Sequence, residues 1–239
     1  MLFKDANLER AIRDALGIPT QLLNKKDLEK LTALDVRTNR YSEPSGKIAD
    51  LAGLEYCTGL IKLVLLQNKI RDVNPLASLT NLKYLNLHDN QISDISPLAH
   101  LVSLVHLDLN ANQVTDLSGL AKLTNLAYLY LNDNQLVSTV GLINLQKLKI
   151  LDLSNNQIAD ISPLFNLTNL TQLYIGRNQL KDVSGIVNFT NLNNLTLSNN
   201  QITDISALSK LTSLVYLGLH YNQISDLSPL IDATEIKEL

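Results

Sequence analysis

The chain of 239 residues has no tryptophan, one methionine and one cysteine. A single cysteine cannot close an internal disulfide or build a cysteine-based zinc cluster. The net charge is -3, with 20 Lys and Arg against 23 Asp and Glu, so the basic footprint of a nucleic-acid binder is missing. No stretch approaches the roughly 18 consecutive apolar residues of a membrane span. The N-terminus, Met1-Leu2-Phe3-Lys4-Asp5, lacks a basic region followed by an apolar run and does not read as a signal peptide. Aromatics are scarce, at eight Tyr and three Phe. Against these shortages stand 52 Leu and 26 Asn. An ordinary core mixes Leu, Ile, Val and Phe because irregular gaps need varied shapes. One dominant type implies one packing environment copied many times.

The copying has a fixed period. Asn recurs at 68, 90, 112, 134, 156, 178, 200 and 222, always 22 residues apart. Leu precedes each Asn by eight residues and again by five. Leu or, once, Ile precedes it by three, and Ile, Val or Leu follows by two. The unit is L-x-x-L-x-L-x-x-N-x-I. The Leu at minus five and minus three alternate with other residues, the period of a half-buried strand. Each unit therefore predicts one short strand, and successive strands stack in parallel. The Asn falls where the chain leaves the strand, where its amide can satisfy backbone groups that would otherwise be buried and unpaired.

The return segment repeats too. Asp lies four after the Asn at 72, 94, 116, 160, 182, 204 and 226, before apolar-Ser-Pro-Leu or a close variant. Carboxylate capping and Pro in the first turn suit one short 3₁₀ or α turn on the outer side. One unit departs: Ser138 replaces the Asp and Gly141 the Pro, which predicts looser outer structure there. Cys57 occupies the column later filled by Leu79, Leu101, Leu123, Leu145, Leu167 and Phe189, so it reads as a core residue rather than a nucleophile.

The ends differ from the middle. Leu8, Ala11, Ile12, Ala15 and Leu16 follow helical spacing, with Asp5 as N-cap and Gly17 and Pro19 as the stop. A second short helix is predicted over 24–30. Residues 1–30 thus read as a helical cap and 31–239 as one solenoid of about nine repeats and a partial tenth. Seven extra residues between Arg40 and Lys47 make a loop that could bind something. Ile236 and Leu239 begin a tenth unit that stops mid-repeat, which suggests a truncated chain or a partial strand acting as its own cap.

The unit N-Q-I-x-D-I-S-P-L, at Asn90–Leu98 and Asn156–Leu164, resembles the leucine-rich repeats of bacterial internalins. The segments Leu31–Leu34 and Ile48–Tyr56 after the helices resemble the N-terminal cap of that family. The resemblance implies an α/β, right-handed, horseshoe-shaped solenoid with its parallel sheet on the concave face. It also implies a secreted or cell-surface bacterial protein whose concave face binds a protein partner. The missing signal peptide leaves a cytoplasmic location open. An intracellular recognition segment of a larger protein and an engineered repeat scaffold remain alternatives.

Positions minus six, minus four, minus two and minus one from each Asn are free of the core and face the concave side. Six of the eight Tyr fall in these 36 positions, where random placement would put about one. Tyr offers rigid area and a polar tip, which suits a binding surface. The candidate partner-binding residues are Tyr84, His106, Asp108, Tyr128, Tyr130, Ile150, Asp152, Tyr174 and Tyr216. The face carries five Asp against three Lys or Arg, which favours a partner with basic groups. His106 and Asp108, or His88 and Asp108, are the nearest approach to an acid–base pair. With no enclosed pocket or phosphate loop implied, no enzyme, metal or cofactor is expected, and the chain is expected to be monomeric.

Overall fold

A computed structural model describes residues 3–37, 46–231, 233, 235 and 236. Most of the 40–47 loop and Leu239 therefore lie outside the described residues.

Two helices open the chain. Helix α1 (Ala6–Leu16) begins at Asp5, whose Oδ1 accepts from the backbone N–H of Asn7 and Leu8. It stops at Gly17, which takes the left-handed conformation at φ 69°. Helix α2 (Lys25–Glu29) is capped by Asn24. Leu8, Ile12 and Leu28 are fully buried and join the core of the repeats. Two further contacts dock the helices. The other carboxylate oxygen of Asp5 accepts from the N–H of Ala49 at 2.8 Å. Gly59 lets the Glu29 carbonyl approach so closely that a Cβ there would sit 2.1 Å from its oxygen.

Nine strands of three residues each follow. They are β1 (Ala33–Asp35), β2 (Lys62–Val64), β3 (Tyr84–Asn86), β4 (His106–Asp108), β5 (Tyr128–Tyr130), β6 (Ile150–Asp152), β7 (Gln172–Tyr174), β8 (Asn194–Thr196) and β9 (Tyr216–Gly218). They form one parallel sheet in sequence order, with equivalent repeat positions paired at every step. The middle residue of each strand is a buried Leu and its neighbours point away from the core. At about 4.8 Å per step, nine strands extend roughly 40 Å.

The Asn column performs the role its place in the repeat suggests. In Asn134, Oδ1 accepts from Val114 N–H while Nδ2 contacts the carbonyls of Leu109, Leu131 and Asn132. Each such amide joins its own bend to the bend one repeat earlier. The residue before each Asn, from Gln67 to Tyr221, lies in the left-handed region at φ 53–61°. The minus-one position is thus a tight bend rather than strand surface. Asp and Asn, which tolerate that conformation best, hold four of the eight places: Asp89, Asp133, Asn155 and Asn199.

On the convex side each repeat makes a 3₁₀ turn. The Asp four after the Asn accepts from the N–H that opens the turn, as Asp94 Oδ1 does from Ser96 at 2.8 Å. The unit without Asp or Pro makes the same turn. Its turn, Val140–Leu142, keeps the backbone geometry of the others, and Thr139 is wholly buried where its equivalents are apolar. Only the cap changes, to a 3.3 Å contact between Val140 N and Ser138 Oγ. Gly141 belongs there for a steric reason, since a Cβ would sit 2.2 Å from the Leu117 carbonyl oxygen of the preceding turn. Cys57 is fully buried in the core, and burial pushes its thiol up to about 12.

Candidate functional site

Strand register places the sequence-predicted residues in two rows across the concave sheet. One row runs Tyr84, His106, Tyr128, Ile150, Gln172, Asn194, Tyr216 over strands β3 to β9. The other runs Asn86, Asp108, Tyr130, Asp152, Tyr174, Thr196 over β3 to β8. Eight of the nine candidates are neighbours in these rows. Tyr216 stands apart at the end of the first row, two strands beyond Tyr174. All nine are half-buried, because each side chain leans on its counterparts one strand spacing away.

The aromatic end is stacked. The Tyr84 and His106 rings are 4.1 Å apart and nearly parallel, at 10°. His106 also meets Tyr130 at 5.4 Å and Tyr128 at 6.0 Å in tilted geometry. The Lys62 ammonium lies over the Tyr84 ring at 5.4 Å from its centroid. Burial moves the His106 pKa down, so the ring favours its neutral form.

The two central carboxylates are held from below. Asp108 accepts from Asn110 N–H at 3.0 Å and from Asn86 Nδ2 at 2.9 Å. Asp152 accepts from Ser154 N–H at 2.9 Å. Burial nevertheless pushes both carboxyls above their ordinary value, outweighing those hydrogen bonds. Tyr130 and Tyr174 are raised by burial as well, and the Tyr174 hydroxyl donates to Gln172 Oε1 at 3.0 Å.

His88 and His106 both face Asp108. Among the described residues no group of three His, Cys, Asp or Glu side chains could hold a metal ion. No helix there is long and apolar enough to cross a membrane.

Repeat reasoning missed a second ladder on the flank that precedes the strands. Asn81, Asn125, Asn169 and Asn191 each donate through Nδ2 to the carbonyl 23 residues earlier. They sit nine residues before the framework Asn, and that spacing is the signal that could have exposed them. Asn125 and Asn169 border a cavity of about 640 Å³ lined also by Val105, Ala127, Lys147 and Lys149, separate from the concave rows.

Comparison with known proteins agrees with this architecture. A family model described as "Leucine Rich repeats (2 copies)" matches residues 58–100, 102–144, 146–188 and 190–232. An internalin of Listeria monocytogenes is similar at 35% identity and a TM-score of 0.84, over all of this chain and 75% of that one. A second internalin of the same species is 31% identical at a TM-score of 0.71, over all of this chain and 95% of that one. A leucine-rich repeat protein of Leptospira interrogans is 26% identical at a TM-score of 0.82, over 90% of this chain and 55% of that one. No curated protein matches the chain.

Proposed function

The chain belongs to the internalin-like leucine-rich repeat family, and on that premise we propose that it is a non-enzymatic recognition module that binds a protein partner through the centre of its concave sheet. Repeats of this fold commonly mediate protein–protein interaction. The observation that carries the reading is the two-row cluster on β3 to β7, where Tyr84, Tyr128, Tyr130 and Tyr174 surround His106, Asp108, Ile150 and Asp152. These side chains contribute little to the solenoid, whose core and bends are built from Leu and Asn. Rigid, half-exposed aromatics in the middle of a concave surface are the residues that dominate interface energies.

The test replaces Tyr128, Tyr130 and Tyr174 together with Ala. Immobilised wild-type and variant protein are compared for the proteins they retain from extracts and surfaces of the source's environment, with melting curves as the folding control. The triple variant should lose every partner retained by the wild type, with its melting temperature within a few degrees. An unchanged set of retained proteins would refute the concave reading.

A further inference from the structure

The concave rows contain charges that the protein does not balance itself. Asp108 and Asp152 flank Tyr130 on its two neighbouring strands, and Tyr174 follows Asp152. The charged neighbours that act on Asp152 are Asp133 and Asp108, both of its own sign. Asp108 is faced by His88 and His106, and the latter is driven toward neutrality by burial. Among the described residues neither carboxylate lies within ion-pair distance of a Lys or Arg. Three carboxylates elsewhere are so paired: Glu9 with Arg13, Asp27 with Lys30 and Asp35 with Arg37. Asp108 and Asp152 are half-buried with no ion-pair partner, and hydrogen bonds alone offset the cost of their burial.

The aromatic rows point the same way. At the β2 end of the sheet, Lys62 already sits over the Tyr84 ring. The row geometry therefore accommodates a cation over a tyrosine face. Register pairs the Cα of Tyr130 with those of Asp108 and Asp152, about one strand spacing away on each side. A guanidinium or ammonium over that ring meets the π face and one or both carboxylates together.

We propose that the centre of the concave face receives a lysine or arginine side chain of the partner, laid over Tyr130 between Asp108 and Asp152. This rests on the reading of the concave sheet as the binding surface and names the chemistry of what it binds. The partner is a protein segment carrying exposed basic residues. An acidic segment or a polyphosphate would meet like charge here.

The probe is a hexa-arginine peptide, with hexaglutamate as control, titrated calorimetrically at low ionic strength so that screening does not mask the contact. Two charge-matched variants separate a built site from general acidity: Asp108→Asn with Asp152→Asn on the concave face, and Asp116→Asn with Asp182→Asn on the convex face. The concave variant should weaken hexa-arginine binding about tenfold or more, as loss of a desolvated charge partner does. The convex variant should stay within about twofold of wild type. Tyr130→Leu, which keeps apolar area and removes the π face, should weaken binding by a smaller factor and serves if the double variant does not fold. Equal loss in both double variants, or no binding of hexa-arginine, overturns the proposal. If hexa-arginine fails to bind while the triple Tyr variant still loses its natural partners, the concave reading stands and only the cationic occupant falls.

Discussion

The concave and convex faces both use aspartate, and they use it oppositely. On the convex side Asp116 accepts from the hydroxyl and the N–H of Ser118, at 2.6 and 2.9 Å, and these bonds hold its carboxyl below its ordinary value. Asp94, Asp182 and Asp226 are lowered in the same way, chiefly by the backbone N–H of the turn they open. On the concave side burial raises Asp108 and Asp152. A lowered pKa means the native state favours the charge, and a raised one means it resists it. The convex carboxylates therefore help make the fold. The concave ones are carried at a cost to it, as expected of groups kept for a partner.

Between the two faces, the Asn bends join each repeat to the one before it. Asn134→Ala should therefore have the largest effect on stability. It removes four hydrogen-bond contacts from a buried amide and leaves the Val114 N–H without an acceptor, while the carbonyls of Leu109, Leu131 and Asn132 keep Asn112 Nδ2, Asn156 Nδ2 and the Ala111 N–H. With about 1–3 kcal/mol for the unsatisfied N–H and about 0.5–1.5 kcal/mol for each further hydrogen bond lost, a loss of about 3 kcal/mol or more is expected in chemical denaturation. A cost below that of the face substitutions that follow would show that the Asn column is dispensable.

Gly141→Ala comes next. The added methyl must displace the Leu117 carbonyl, a backbone atom held in the previous turn. Overpacking of this kind costs about 1–3 kcal/mol. An unchanged midpoint of denaturation would mean that the turns slide freely past one another and that the convex face is softer than its regular geometry implies.

Acid sharpens the contrast. The convex carboxylates contribute stability above the ordinary value of 3.8, and that contribution is lost as pH falls through their lowered native values. For Asp152 the sign reverses. Its protonated form is favoured by the native state, so its cost is present at neutral pH and disappears as pH falls through its raised native value. Asp152→Asn should therefore exceed wild type in melting temperature at neutral pH, and the difference should close on acidification. A difference independent of pH would detach it from the carboxyl's charge.

Much of this was legible before any coordinates. The 22-residue column identified the strands, the buried Leu and the bend Asn, because a repeat forces one environment on every copy. The concave cluster was legible for the same reason: once the core columns are known, the remaining strand positions must face outward. What stayed hidden depends on contacts between repeats rather than within one. The need for Gly at 141 arises from the distance to the carbonyl of Leu117, which no single unit encodes. The left-handed bend before each Asn was masked because Ala111, Arg177 and Tyr221 occupy it as well as Asp and Asn. The weaker cap at Ser138 predicts loosening, yet the turn keeps the backbone geometry of the others. The buried Leu142 on one side of the turn and the wholly buried Thr139 on the other hold it regardless.

On the proposed reading the convex aspartates serve the fold, and Asp108 and Asp152 serve a partner. Melting Asp116→Asn and Asp152→Asn side by side at neutral pH tests it most directly. Asp116→Asn should lower the melting temperature by about 1–3 °C, while Asp152→Asn should leave it unchanged or raise it by a similar amount. A comparable drop in both variants would contradict the account, because it would make the concave carboxylates part of the fold's own support.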